Sequence, residues 1–168
     1  MPTAFVSRVI QAPQHDIWAL LSDVAQAGRW NKYWTRIEFT GNQTHGTGTR
    51  FKAITSDGDA YTFEICDWDA PQRIAFCPVR EPGERYGITL DSHAFEVKSL
   101  SGDASEVTIT ANASAHGLRG RIVALFFWAG HQRDGLNTAL DSLQAVFEPE
   151  LFTDEDKQEP STHEAIPE

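Results

Sequence analysis

The sequence predicts an α+β fold, an antiparallel meander of about seven strands closed by one long helix. Three observations predict it. Between Val6 and Asn31 the chain opens with a strand, a proline-started helix and a second short helix. Six further strand signals then follow in close order, each bounded by turn residues. Residues 118–147 keep a helical apolar period, the longest regular stretch in the chain. A chain of 168 residues is the size of one domain with a substantial core.

Residues 5–10 are rich in β-branched side chains, as a strand needs, and Ala12-Pro13 ends them. Pro13 suits the first turn of a helix, where its missing N–H would be unpaired anyway. Ile17, Trp18, Leu20 and Leu21 form an apolar stripe at helical spacing. Ser22-Asp23 closes that helix and offers a cap to the next, residues 24–30. The strands that follow are 36–40, 49–55, 61–68, 73–79, 88–100 and 106–115, with Gly, Asn, Asp, Ser and Pro clusters between them. In the closing helix Leu118, Ile122, Leu125, Phe126, Ala129, Leu136, Leu140, Leu143 and Phe147 fall near one face, and Gly130 and Gly135 favour a bend. No internal repeat or second domain is visible.

The segments IQAPQHDIWALLSD followed by RWN, GTGTRF, ICDWDAPQRIAF, HAFEVKSLSGDASEVTIT and HGLRGRIVALFFWAGHQRDGLNTALDSLQAVFE stand in this order along the chain. Each is weak alone. Together they resemble the SRPBCC superfamily, the START-like helix-grip proteins that include polyketide cyclases, dehydratases and lipid-transport proteins. The resemblance spans residues 3–148. It implies a curved seven-stranded sheet wrapped around the long C-terminal helix, with two short helices after the first strand and a ligand cavity between sheet and helix. Such a resemblance specifies fold more than function.

Strand alternation assigns side chains to faces. In 88–100, Phe95 and Val97 belong inside, which gives Asp91 and His93 the same inward parity. In 106–115 the inward set is Val107, Ile109, Ala111, Ala113 and Ala115. Phe51, Tyr61, Phe63, Ile65, Ile74 and Phe76 complete the inner face. Three consecutive small inward residues, Ala111, Ala113 and Ala115, mean either close approach of the helix or a space, and the resemblance favours the space. Trp30, Trp34, Phe126, Phe127 and Trp128 are available as aromatic walls, the alternative role for such residues being plain core.

The polar candidates for a site are few. His93 could hydrogen-bond a ligand carbonyl or move a proton, because imidazole titrates near neutrality, or it could be structural. Tyr61 could donate a phenolic hydrogen bond or leave its hydroxyl in solvent. Asp91 lies nearer the strand start, at the expected cavity mouth. Of Gln132 and Arg133, close to the apolar stripe, at least one is expected to reach the cavity, with snorkelling to the surface the other course for Arg133. Arg119 and Arg121 open the long helix and would either be solvated or attract an anionic head group. The expected ligand-binding set is therefore Trp30, Phe51, Tyr61, Phe63, Phe76, Asp91, His93, Phe95, Ala111, Ala113, Phe126, Ala129 and Arg133, with His93 and Tyr61 as catalytic candidates.

From Glu148 onward eight acids stand against one lysine, so only −3 of the formal charge of −10 belongs to the body. A mildly acidic body without a basic face argues against nucleic acid. Residues 149–168 read as an acidic, disordered tail, leaving 1–148 as the domain. No apolar run reaches the length of a membrane span, and the start MPTAFVSRV lacks the pattern of a signal peptide, so a cytoplasmic protein is expected. Cys66 and Cys77 lie opposite each other if residues 69–72 turn a hairpin; in the cytoplasm they are expected as reduced thiols. Neither a cofactor motif nor a metal-ligand spacing is present. The reading is a domain that binds a small hydrophobic or amphipathic ligand, lipid-like or polyketide-like, in an internal cavity. The alternative is a polyketide cyclase/dehydratase-type enzyme acting on a ligand held there, and a protein-interaction module has little positive support.

Overall fold

The computed structural model describes residues 3–79, 88–117 and 129–152. Strand β1 (Thr3–Ile10) leads into helix α1 (Gln14–Ser22) and a 3₁₀ helix (Val24–Arg29). Then come β2 (Trp34–Phe39), β3 (Arg50–Thr55), β4 (Ala60–Asp69), β5 (Arg73–Pro78), β6 (Ile88–Ser101), β7 (Ala104–Ala115), helix α2 (Ala129–Phe147) and a 3₁₀ turn (Pro149–Phe152). Every neighbouring strand pair is antiparallel, in the order β1-β7-β6-β5-β4-β3-β2, so the first strand closes against the last and β1 and β2 are the edges.

Local chemistry explains the elements. In β7 Val107, Ile109, Ala111 and Ala113 alternate with half-buried polar residues and are buried as parity predicts, while Ala115, the fifth of that set, is only half-buried. On the other face the Ser7 and Thr108 hydroxyls share a hydrogen bond of 2.9 Å. Helix α1 buries Ile17, Leu20 and Leu21 and sets Trp18 edge-on to Trp68 with ring centroids 5.2 Å apart. Pro13 stands one residue before this helix, its carbonyl accepting the Asp16 and Ile17 N–H groups at 3.1 and 3.3 Å. The second short helix is 3₁₀, and Asp23 does not cap its backbone; the carboxylate takes the Gln26 side-chain amide instead, at 2.5 Å.

Helix α2 buries Leu136, Leu140 and Leu143, one stripe of a 3.6-residue period, and packs on β1 and β7. Its outer turns are tied to β1. Arg8 bonds Asp141 and reaches Gln144 at 3.2 Å, while the Glu148 carboxylate accepts the Gln11 backbone N–H at 2.7 Å. The expected start of the long helix at residues 118–128 lies outside the described residues, as does the expected disordered tail beyond 152. Among the described residues no helix is long and apolar enough to cross a membrane.

Four register shifts interrupt the described ladders, and two of them re-aim residues singled out above, at Cys66 between Ile65 and Asp67 and at Asp91 between Leu90 and Ser92. Each of these two inserts one extra residue into the register of its strand and re-aims that side chain. Cys66 and Cys77, their Cα atoms 5.8 Å apart on adjacent strands, are joined as a disulfide, which corrects the expectation of reduced thiols. The reason is geometric: Cys77 pairs with Glu64, and the bulge leaves Cys66 without a partner of its own on that same outward face. Because the disulfide closes a loop with a sequence separation of 11, the double substitution Cys66→Ser/Cys77→Ser is expected to lower unfolding stability by about 3 kcal/mol in urea titrations. An unchanged midpoint would show that the crosslink does not restrict the unfolded chain.

Candidate functional site

Between the inner face of the sheet and helix α2 lies a cavity of about 210 Å³. Its floor comes from four strands: Phe63 on β4, Phe76 on β5, His93 and Phe95 on β6, and Ile109 on β7. Helix α2 supplies Gln132, Gly135, Leu136 and Ala139 as the roof, and the turn after the 3₁₀ helix supplies Trp30, Asn31, Tyr33 and Trp34 as the end wall. That turn is rigidly built. Asn31 Oδ1 accepts the Tyr33 N–H at 3.1 Å, the Asn31 carbonyl accepts the Trp34 N–H at 3.0 Å, and the Tyr33 carbonyl accepts the Ser56 N–H at 3.1 Å.

The aromatic rings form a continuous wall. Trp30 meets Phe95 edge-on at 5.1 Å and Trp34 at 5.8 Å, and Trp34 meets Phe63 at 5.2 Å. Behind them Phe51, fully buried, touches Trp34, Phe63 and Phe76 at 5.7 to 5.9 Å. A larger groove of about 460 Å³ lies elsewhere, beside Gln14, Asp69, Arg73, Glu96 and Lys98. It is open and polar, and its Arg73 is already engaged by Asp67 and Glu96.

Trp30, Phe63, Phe76, His93 and Phe95 thus stand at the cavity wall, as their parity or aromatic character predicts, while Phe51 supports it from behind. Ala111 and Ala113 are fully buried on the inner face, paired with His93 and Leu90, but the described cavity passes Ile109 and does not reach them. Three expectations are corrected. Tyr61 pairs with Ala53 near the end of the sheet, beyond the aromatic core; it is 52% exposed, with its hydroxyl 3.5 Å from Asp59. Asp91 occupies the β6 bulge, which breaks the alternation, and its carboxylate accepts the Ser114 hydroxyl at 2.6 Å on the outward side of β7. Arg133 is exposed, and its neighbour Gln132, about 100° round the helix, lines the cavity instead. Phe126, Phe127, Trp128, Arg119 and Arg121 lie outside the described residues, and so does the side chain of Ala129. Asn31 and Tyr33 were missed, their one signal being the aromatic-rich turn WNKYW.

Among the described residues His93 is the one imidazole at the wall. Burial among Phe76, Phe95 and Ala111 removes the solvation of its charged form and lowers its pKa from 6.5 to about 4. The ring is therefore neutral at physiological pH. Its Nε2 is buried and has no hydrogen-bond partner, and the same is true of Trp30 Nε1.

Neutral His93 has a consequence for stability. Between about pH 6.5 and pH 4 the unfolded chain binds a proton that the folded chain refuses, so stability falls as pH drops through that window and is flat above it. The loss is on the order of 3 kcal/mol. In urea unfolding followed across this range, His93→Gln is expected to lose less stability than wild type by about that amount. Equal losses would show that the imidazole takes up its proton in the folded state.

A curved antiparallel sheet closed on a C-terminal helix, with an apolar cavity between them, defines the helix-grip class. The chain belongs to the family described as polyketide cyclase / dehydrase and lipid transport, whose sequence model matches residues 1–148. No curated protein sequence matches the chain. Among solved structures, one from Thermobifida fusca superposes with a TM-score of 0.69 at 18% identity, covering 89% of this chain and 95% of that one. The di-domain ARO/CYC BexL, from a biosynthetic pathway, gives 0.65 at 19% identity; 90% of this chain is covered, but only 49% of that protein. A point mutant of Thalictrum norcoclaurine synthase, in complex with a transition-state analogue, gives 0.64 at 14% identity over 89% and 95% of the two chains. These identities speak for the shared fold alone.

Proposed function

We propose that the cavity takes up a small hydrophobic or amphipathic molecule, lipid-like or polyketide-like, as its physiological ligand. One observation carries the reading: a space of about 210 Å³ walled by Trp30, Trp34, Phe63, Phe76 and Phe95, with amide and hydroxyl groups at Asn31, Tyr33 and Gln132. An apolar pocket with a few placed polar groups is the usual form of a small-molecule site. A cavity of about 150 Å³ already admits benzene, so this one accepts one or two rings or a short chain. Burial supplies affinity at about 25 cal/mol per Å² before ordering costs.

A cyclase-type reaction is the second reading, favoured by the family description and by the ARO/CYC and synthase neighbours. The chemistry on this chain supports it less. Tyr61 stands outside the cavity. An imidazole with a pKa near 4 is almost wholly unprotonated at neutral pH and so is a poor general acid, while as a base it is weak. Binding needs neither property.

Native mass spectrometry of freshly purified protein should reveal a bound small molecule. In parallel, 1-naphthylamine, a two-ring probe that is neutral at pH 7, should shift its fluorescence to the blue on binding. Ala139→Phe, which puts a ring into the cavity, is expected to weaken the probe by about ten-fold or more while unfolding stays cooperative. Unchanged probe affinity in a folded variant would locate binding elsewhere.

A further inference from the structure

We propose that Trp30 and His93 form a polar clasp that selects an uncharged ligand carrying a hydroxyl or carbonyl oxygen on its apolar ring or chain. The inference rests on the cavity reading above and names the ligand class that this cavity prefers. Trp30 Nε1 and His93 Nε2 are both buried and lack a hydrogen-bond partner, although both residues line the same cavity. Buried polar groups without partners cost about 1–3 kcal/mol each, so such a pair at one site calls for an explanation.

The two side chains adjoin the same two rings, Phe76 and Phe95. Trp30 contacts Phe95 at 5.1 Å and Phe76 at 6.2 Å; His93 pairs directly with Phe76 across the strands and precedes Phe95 by two residues on the same face. The indole can only donate. Neutral imidazole donates from one nitrogen and accepts at the other. A ligand hydroxyl accepts from Trp30 and donates to His93 Nε2 when that nitrogen is bare. A carbonyl, with two lone pairs, accepts from both when Nε2 carries the hydrogen. An oxygen thus satisfies the clasp in either tautomer.

The rest of the described wall offers a charged ligand no counter-ion. Among the described residues that line the cavity there is no Lys, Arg, Asp or Glu, and burial keeps His93 neutral. A carboxylate entering here would shed water without gaining a counter-ion, which costs far more than two neutral hydrogen bonds return.

The test uses four matched probes near pH 7: naphthalene, 2-naphthol, 2-acetylnaphthalene and 2-naphthoate, titrated calorimetrically into wild type, His93→Leu and Trp30→Phe. In wild type at least one of the two neutral oxygen probes should bind about ten-fold tighter than naphthalene, as expected for one or two neutral hydrogen bonds, and naphthoate weakest of the four. Preference for the naphthol assigns His93 Nε2 as acceptor; preference for the ketone assigns it as donor. Each substitution should bring the oxygen-to-naphthalene ratio toward one. The ratio within one protein is insensitive to altered cavity size. If a variant fails to fold, the Trp30 indole N–H resonance of wild type decides: it should move downfield with the preferred oxygen probe and not with naphthalene. Equal affinity for naphthalene and the oxygen probes, or a ratio preserved in both folded variants, would overturn the clasp and leave the container standing. Failure of all four probes to bind would remove both readings.

Discussion

The structure turns on the close approach of the 3₁₀ helix to the start of β2. A Cβ added to Gly28 would lie 2.8 Å from the backbone carbonyl oxygen of Trp34, a distance that real Cβ atoms do not reach. Only glycine permits this contact, and the contact fixes where Trp30 and Trp34 sit. From those two indoles the aromatic wall extends through Phe63, Phe76 and Phe95, with Phe51 behind. Moving the 3₁₀ helix outward by the thickness of a methyl group would part Trp30 from Phe95 and leave a wall without an end.

The sheet determines what that wall can offer. Its four contributing strands each present alternate residues, so one face supplies a ring or an aliphatic group from every strand while the other face carries the disulfide and the Thr and Ser ladder. Ile65 and Phe76 are paired on the inside one step from the crosslinked Cys66 and Cys77 on the outside. The covalent bond thus holds the register of the strand pair that carries Phe63 and Phe76, restricting the unfolded chain more than adding contacts to the folded one.

Much of this was legible in the sequence, because a strand has only two faces. The VTITANASA alternation identifies the inner residues of β7, and the FEV spacing puts His93 inside. The same rule fails where alternation itself is broken or runs past the core. Asp91 is turned out by a bulge that no residue type near it announces, and Tyr61 stands exposed although its cross-strand partner Ala53 is fully buried. On α2 the helical period separates Leu136 from solvent, but Gln132 and Arg133 differ by one residue, and only the axis of the helix against the sheet decides which of them enters. The Cys66–Cys77 bond escaped for a different reason: spacing makes it feasible, while redox setting, which sequence states weakly, determines the expectation.

The polar groups at the cavity run against the logic of a core evolved only for stability. A leucine at position 93 would avoid both the lost solvation of an imidazole and the proton that the unfolded chain gains below pH 6.5. A phenylalanine at position 30 would avoid an unpaired indole N–H. Gly135, in the middle of α2 where an added Cβ would meet nothing within 4 Å, forgoes a further fraction of a kcal/mol of helix stability. These three departures from local preference come from separate elements and converge on one volume of about 210 Å³. Thr49 Oγ1, buried and unpartnered away from the cavity, is a departure of the ordinary kind, whereas a site that must receive a ligand gathers several where the ligand rests.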